Sequence, residues 1–350
     1  MEFGYGILSA QNPPGSGKTN AGVYQEIVDL VQVAEESDFD AAWTAEHHFM
    51  PDGHSPSPLT LCAGLATATE TIDIGTCVLL APFRHPIKLA EDAATVDLLS
   101  DGRFNLGIGA GYMEREFDVF DVSMKERAKH VAETIHICRE AWTEGPVSHD
   151  GDLYQYSDLE VEPKPASENG PPIYLGGTSQ QAVDRAAFRG DGFIGNANMG
   201  WEPSDAGAGE DGFDHWGDQS NYIAAEHDVD MDDFLVGILN YCYVAETDEE
   251  AWETMLPSFL YTRRAYAEHS KDRDPDEFTL ENLGEERIER LKENLLVGSP
   301  ETIVERLREA ERGAACDIHM LLRMWQPKLN FEENARSIRL FGEEVIPELS

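Results

Sequence analysis

Positive charge is what this sequence has least of: its 350 residues carry 26 Lys and Arg, only 8 of them Lys, against 67 Asp and Glu. A formal balance of −41 repels phosphate backbones and anionic lipid, which argues against nucleic-acid and membrane partners. It also opposes any anionic cofactor, which must find its compensation locally. The carboxylates are spread through nearly every expected helix instead of forming one block, so the excess belongs to the whole surface. Self-repulsion of this size weakens a fold at low salt. We therefore expect a protein built for concentrated salt, as in a halophile, in preference to an ordinary acidic cytosolic enzyme.

Other absences narrow the field further. The five cysteines, Cys62, Cys77, Cys138, Cys242 and Cys316, are odd in number and scattered, with no CxxC or Cys/His ligand spacing, and read as reduced core residues. No apolar run reaches the roughly 18 residues of a membrane span, and the opening Met1-Glu-Phe-Gly4 lacks a basic region followed by an apolar stretch. The expected location is the cytoplasm. Gly15-Ser-Gly-Lys-Thr19 imitates the end of a phosphate-binding loop, but Asn12 stands where the first glycine should, and Pro13 and Pro14 cannot donate backbone N–H groups. Gly107-Ile-Gly-Ala-Gly111 follows an expected strand, yet the third glycine and immediate helix of a dinucleotide-binding turn are missing.

What is present is a core and a rhythm. Hydrophobic residues make up 41% of the chain and aromatics 9%, enough for a sizeable buried interior. Short apolar runs alternate with longer amphipathic ones. Strands are expected over Phe3–Leu8, Phe39–Ala45, Ile72–Leu79, Phe104–Gly109, Ile173–Gly176, Gly192–Gly195, Leu235–Ala245 and Asp317–Arg323. Helices are expected over Ala21–Ser37, Pro58–Glu70, Ile87–Leu99, Lys125–Trp142, Gln180–Arg189, Asp218–Glu226, Asp248–His269, Glu301–Arg312 and Phe331–Val345. Eight strands, each followed by a helix, predict a (β/α)8 TIM barrel, one domain over residues 1–350 with insertions at its C-terminal face. Val147–Pro165 reads as a hairpin or extended excursion, and Asn196–Gly217, rich in Gly, Asp and Trp, as a loop over the active face that would close on a ligand.

Glu46-His47-His48-Phe49 falls where the second strand ends, at the catalytic face of a barrel. Neighbouring residues face opposite ways, so one of the two imidazoles meets the barrel mouth. Metal ligation, a packed structural pair and proton handling near neutral pH are the three readings; no other His or carboxylate cluster has spacing that supports a metal, and none is expected.

Several runs together carry a family resemblance: Ala42-Trp-Thr-Ala-Glu-His-His-Phe49, Ile74-Gly-Thr-Cys-Val-Leu-Leu-Ala-Pro-Phe-Arg-His-Pro86, Asp97-Leu-Leu-Ser-Asp-Gly-Arg-Phe-Asn-Leu-Gly-Ile-Gly109, Pro171-Pro-Ile-Tyr-Leu-Gly-Gly-Thr-Ser179, and the closing Val297–Thr302 and Ser337–Phe341 segments. In this order, across almost the whole chain, they resemble the bacterial luciferase-like flavin-dependent monooxygenases. The resemblance implies reduced FMN across the barrel mouth, delivered by a separate flavin reductase, and O₂ activated as a C4a-peroxide that attacks a small, aldehyde-like organic substrate, an oxidoreductase acting on paired donors with incorporation of oxygen. It makes His47 the catalytic imidazole and His48 structural. It places a bulge, often with a non-prolyl cis peptide, at Thr76 and Cys77 behind the flavin ring, and puts Gly109 beside that ring. Gly176, Gly177, Thr178 and Ser179 become the phosphate site, at the start of a helix whose free N–H groups suit an anion. Some relatives carry an Arg where this chain has Ala110, so the counter-charge must come from elsewhere, with Arg185 and Arg115 as candidates. The same superfamily accommodates the deazaflavin F420, so an F420-dependent hydride-transfer enzyme is the alternative and a flavin-binding protein without turnover a third. The resemblance also implies a homodimer, paired through helices near the second and third strands.

Overall fold

The structure, a computed structural model, describes residues 1–196, 217–269 and 273–349. Eight parallel strands form the barrel: β1 (Glu2–Leu8), β2 (Ala41–Thr44), β3 (Asp73–Thr76), β4 (Phe104–Gly109), β5 (Ile173–Gly176), β6 (Gly192–Asn196), β7 (Leu235–Val244) and β8 (Ile318–Arg323). Each pairs with the next in chain order, and β8 returns to β1 in the register Phe3 to Met320, which closes the sheet on itself. The (β/α)8 barrel expected from eight apolar runs is the fold observed. Its strands are shorter than the runs where neighbouring loop residues are also buried, as at Phe39 and Ile72.

Two cores result. The outer one lies between strands and helices: Val23, Ile27, Leu30, Val31 and Ala34, spaced for one face of the helix Asn20–Glu36, are all buried against the sheet. The inner one fills the barrel. Trp43 of β2 lies across it with Ile7, Tyr174, Ile194 and Leu321, and its indole Nε1 donates to His319 Nε2 at 3.0 Å. A Cβ on Gly75 of β3 would overlap that indole ring, so glycine is what lets the neighbouring strand carry the tryptophan.

The Val147–Pro165 excursion contains an antiparallel hairpin, Val147–Asp150 against Gln155–Leu159. Two helices depart from expectation, Glu114–Phe120 and Glu285–Asn294. Each is too short and too polar for a periodic apolar face: the second buries only Leu291. A short strand after it, Leu296–Gly298, extends the sheet beside β7. The loop-like mimic near residue 18 has an ordinary explanation. Lys18 Nζ is held by Glu26 Oε1 and by the Leu329 carbonyl, both at 2.8 Å, while Thr19 caps the first helix through the Gly22 N–H. All five cysteines are free thiols. No helix among the described residues is long and apolar enough to cross a membrane. Of the expected closing loop Asn196–Gly217, residues 197–216 lie outside the described residues.

Candidate functional site

The C-terminal ends of the barrel strands surround a cavity of about 860 Å³, within the range of about 300–1,000 Å³ common for cofactor sites. Behind it the chain leaves β3 in a bulge. Thr76 Oγ1 donates to the Gly107 carbonyl at 2.7 Å, the Cys77–Val78 peptide is cis, and the chain rejoins the sheet at Leu79–Leu80 beside β4. Glycines make room for this excursion. An added Cβ would lie 2.5 Å from Val78 Cγ2 at Gly109 and 2.6 Å from Val78 Cγ1 at Gly176, and at Gly107 it would overlap the Thr76 carbonyl oxygen. The Gly107–Gly111 cluster therefore serves as clearance for a neighbouring segment. Cys77 lines the cavity, with burial pushing its thiol up to about 12, so it offers a flat, neutral surface and no thiolate. Thr76 is buried one residue behind and spends its hydroxyl on the sheet.

Glu46, His47 and His48 follow β2 and separate cleanly by role. Glu46 is buried, and its carboxylate accepts from Arg84 Nη1 at 2.7 and 2.8 Å, from the Leu80 N–H at 2.8 Å, and pairs with His48 Nε2 at 2.7 Å. This network ties the loop to the far end of the bulge. His48 continues outward into an aromatic cluster with Phe49, Phe83 and Phe120. His47 instead lines the cavity, edge-on to His54, Tyr112 and Tyr266. Its Nδ1 has no hydrogen-bond partner and lies 3.7 Å from Glu116 Oε1, which accepts the His48 N–H at 2.8 Å. The two imidazoles thus face different partners. Among the described residues no cluster of three or more His, Cys, Asp or Glu side chains is arranged to hold a metal ion. Behind His47 lies His54, 2% exposed with both ring nitrogens unpartnered. Burial first, then the charges of His47, Arg323 and His269, hold it well below the ordinary 6.5, so it is neutral at pH 7.

The cavity wall reverses the charge of the molecule. Its described lining holds six cationic side chains, Lys125, Arg127, Arg185, Arg263, Arg273 and Arg323, and a single carboxylate, Glu46, which Arg84 already holds. Lys125, Arg127 and Arg185 lie at one end with Gly176, Gly177, Thr178 and Ser179. There Ser179 caps the helix Gln180–Arg189 without spending its hydroxyl on the cap; the helix's own hydrogen bonds begin at the Ala182 N–H, which leaves those of Gln180 and Gln181 ahead of them. Burial and the neighbouring charges of Arg127 and Arg189 press the Arg185 guanidinium below its ordinary value. Like charges gathered without a carboxylate, beside a helix N-terminus and two hydroxyls, make a seat for a phosphate-like anion. Arg115 is not part of it; it lies on the exposed side of the helix Glu114–Phe120. Lys125 and Arg127 escape sequence reasoning because they stand just before and at the start of a different helix, Arg127–Trp142, and share a cavity with Arg185 only in space.

Residues 1–316 match the family model described as luciferase-like monooxygenase. The chain belongs to that family. The oxygenase component of the flavin-dependent trigonelline monooxygenase of Acinetobacter baylyi is 25% identical over 343 residues, covering 95% of this chain and 92% of the relative. Among solved structures, monooxygenase RslO1 of Streptomyces bottropensis superposes with a TM-score of 0.83 at 24% identity over the full length of both chains. The coenzyme F420-dependent tetrahydromethanopterin reductase of Methanopyrus kandleri superposes with a TM-score of 0.74 at 19% identity, covering 100% of this chain and 99% of the other. Both superpositions establish the shared barrel. Of the residues the family resemblance singles out, His47, Cys77, Gly109, Gly176, Gly177, Thr178 and Ser179 all line this luciferase-like cavity, and Thr76 stands directly behind it.

Proposed function

We propose that this luciferase-like protein is a flavin-dependent monooxygenase that takes reduced FMN from a separate reductase and uses O₂ to oxidise a small organic substrate, aldehyde-like by the family resemblance. The observation that carries the reading is the charge reversal: in a chain of net −41, the described lining of the cavity in front of the glycine-cleared bulge gathers six cations against one neutralised carboxylate. The residues fit FMN. Lys125, Arg127, Arg185, Thr178 and Ser179 would hold its phosphate, and Cys77, Val78 and Gly109 would offer the flat wall for its ring. Bound reduced flavin supplies the electrons that activate O₂.

The chain's own contribution is positional. Cys77 and Val78 exclude water from one face of the ring site, and Glu46 with Arg84 fixes the loop that presents His47. His47, which lines the cavity and keeps its buried Nδ1 without a hydrogen-bond partner 3.7 Å from Glu116, holds or passes a proton at the reacting centre. A separate reductase is supported by the relative named an oxygenase component. Leu98 and Leu99, 46% and 47% exposed on the helix Pro86–Ser100, support pairing of two copies there as a homodimer.

Replacing His47 by Ala tests the reading. With reduced FMN supplied by a reductase and small organic compounds screened as substrates, His47→Ala should lose about 10²-fold or more in turnover with FMN affinity unchanged. Equal turnover in both proteins would leave only a flavin-binding role. F420 is the second reading, because a cationic seat for a phosphate accepts that cofactor as well, and hydride transfer would then replace oxygen chemistry.

A further inference from the structure

The cavity has a second cationic end, and the phosphate seat does not account for it. Arg263, from the helix Asp248–His269, and Arg323, the last residue of β8, both line the cavity beside Tyr112, Tyr241, Tyr266 and His47. Arg323 is only 5% exposed, stacks its guanidinium over the rings of Tyr241 and Tyr266 at 5.1 and 5.7 Å, and has no carboxylate partner among the described residues. Its hydrogen bonds go to neutral groups at long range: Tyr266 Oη at 3.4 Å, Ser9 Oγ at 3.5 Å and Gln11 Oε1 at 3.3 Å. Arg263 forms no ion pair among the described residues either; it lies over Phe278, and its Nε is buried without a partner there. The charges of both reach the phenols of Tyr112 and Tyr266, so the two guanidiniums serve one region.

A buried cation without a counter-charge is costly, and Arg323 pairs with none of the described carboxylates in a chain that carries 67, while the half-buried Arg263 stands beside it. The neighbouring network does the opposite. Gln11 stands between Arg323 and Asp52: its carbonyl oxygen meets the guanidinium, while its amide nitrogen donates to Asp52 Oδ2 at 2.8 Å. Tyr261 donates to the same oxygen at 2.9 Å. Asp52 is thereby occupied on the far side of an amide, and no carboxylate among the described residues compensates the charge that Arg323 brings to the cavity.

We infer that Arg263 and Arg323 form a subsite for an anionic substrate: a small organic carboxylate whose acid group lies on the two guanidiniums and whose carbon skeleton lies against Tyr112, Tyr241 and Tyr266, within reach of His47. The planar guanidinium fork suits a carboxylate, and the phenol faces suit a flat, unsaturated body. This substrate class rests on the monooxygenase reading of the cavity, while the anion subsite itself stands on the arginines alone.

The test is calorimetric titration of the full chain, without flavin and at one fixed molar salt concentration, with benzoate and with its neutral isostere benzamide. Benzoate should bind at least tenfold more tightly, and Arg263→Gln should abolish that preference while leaving benzamide binding and the separately titrated FMN affinity intact. Arg263→Lys, which keeps the charge and loses the fork, should restore part of it and guards against a folding defect. Equal affinities for the two compounds, no binding of benzoate, or a preference removed by Arg185→Gln instead of Arg263→Gln would overturn the subsite. Failure of FMN to bind with the benzoate preference intact would overturn the flavin reading and leave the subsite standing.

Discussion

His54 shows what a single side chain does to the stability of this molecule. Its burial without hydrogen-bond partners holds its folded-state value well below the ordinary 6.5. Above that ordinary value the ring is neutral in the folded and the unfolded chain, and it costs nothing by linkage. Below it the unfolded chain takes up a proton that the folded chain refuses, so stability falls as pH falls, by up to about 1.4 kcal/mol per pH unit. His54→Phe should remove that slope. Denaturant unfolding at pH 7.5 and pH 5.5 should show a larger acid loss in the unsubstituted protein, and identical losses would place the proton elsewhere. At this scale the sequence was legible where a residue type is tied to a local run: that one of His47 and His48 meets the barrel mouth followed from neighbouring residues facing apart, and the choice of His47 came from the family resemblance. Arg263 and Arg323 were not legible, because their meaning comes from their meeting in three dimensions with no carboxylate partner among the described residues.

Among elements, the strands were the most legible, since a strand buried on both faces leaves a continuous apolar run. The helices Glu114–Phe120 and Glu285–Asn294 were not, for want of length and of an apolar stripe. The bulge after β3 is legible only through its neighbours. Gly107, Gly109 and Gly176 lie on two adjacent strands, and each gives way to the same three-residue excursion. The cost of filling that space depends on what the new methyl meets. Gly107→Ala drives a Cβ into the Thr76 backbone carbonyl, which cannot step aside, and should destabilise by about 3 kcal/mol or more. Gly109→Ala meets the Val78 side chain, which can re-orient, and should cost less while displacing the ring wall. Equilibrium unfolding of the two variants checks the ranking, and a reversed order would contradict this account of the bulge.

For the whole molecule, charge sets the terms. An overall balance of −41 and a cationic cavity place opposite demands on salt. The Debye length falls from about 10 Å at 0.1 M to about 3 Å at 1 M, which relieves repulsion between surface carboxylates. Interactions inside the partly buried cavity are screened much less. The melting temperature should therefore climb steadily as potassium chloride is raised into the molar range, with ligand binding retained. A flat or falling melting curve would remove the case for adaptation to concentrated salt. The acid excess was plain in the composition; that the cations converge on one pocket was not, because Lys125, Arg127, Arg185, Arg263 and Arg323 come from four separate segments.

The most direct test of the central claim is an anaerobic titration in molar salt with reduced FMN and, separately, reduced F420, on the unsubstituted protein and on the Arg127→Gln, Arg185→Gln double variant, followed by admission of air. Reduced FMN should bind more tightly than reduced F420, and the FMN complex should consume O₂. The double variant should lose FMN affinity by about tenfold or more, the value of one charge-assisted hydrogen bond. Preference for F420 with no reaction with O₂, or FMN affinity indifferent to both arginines, would contradict that claim.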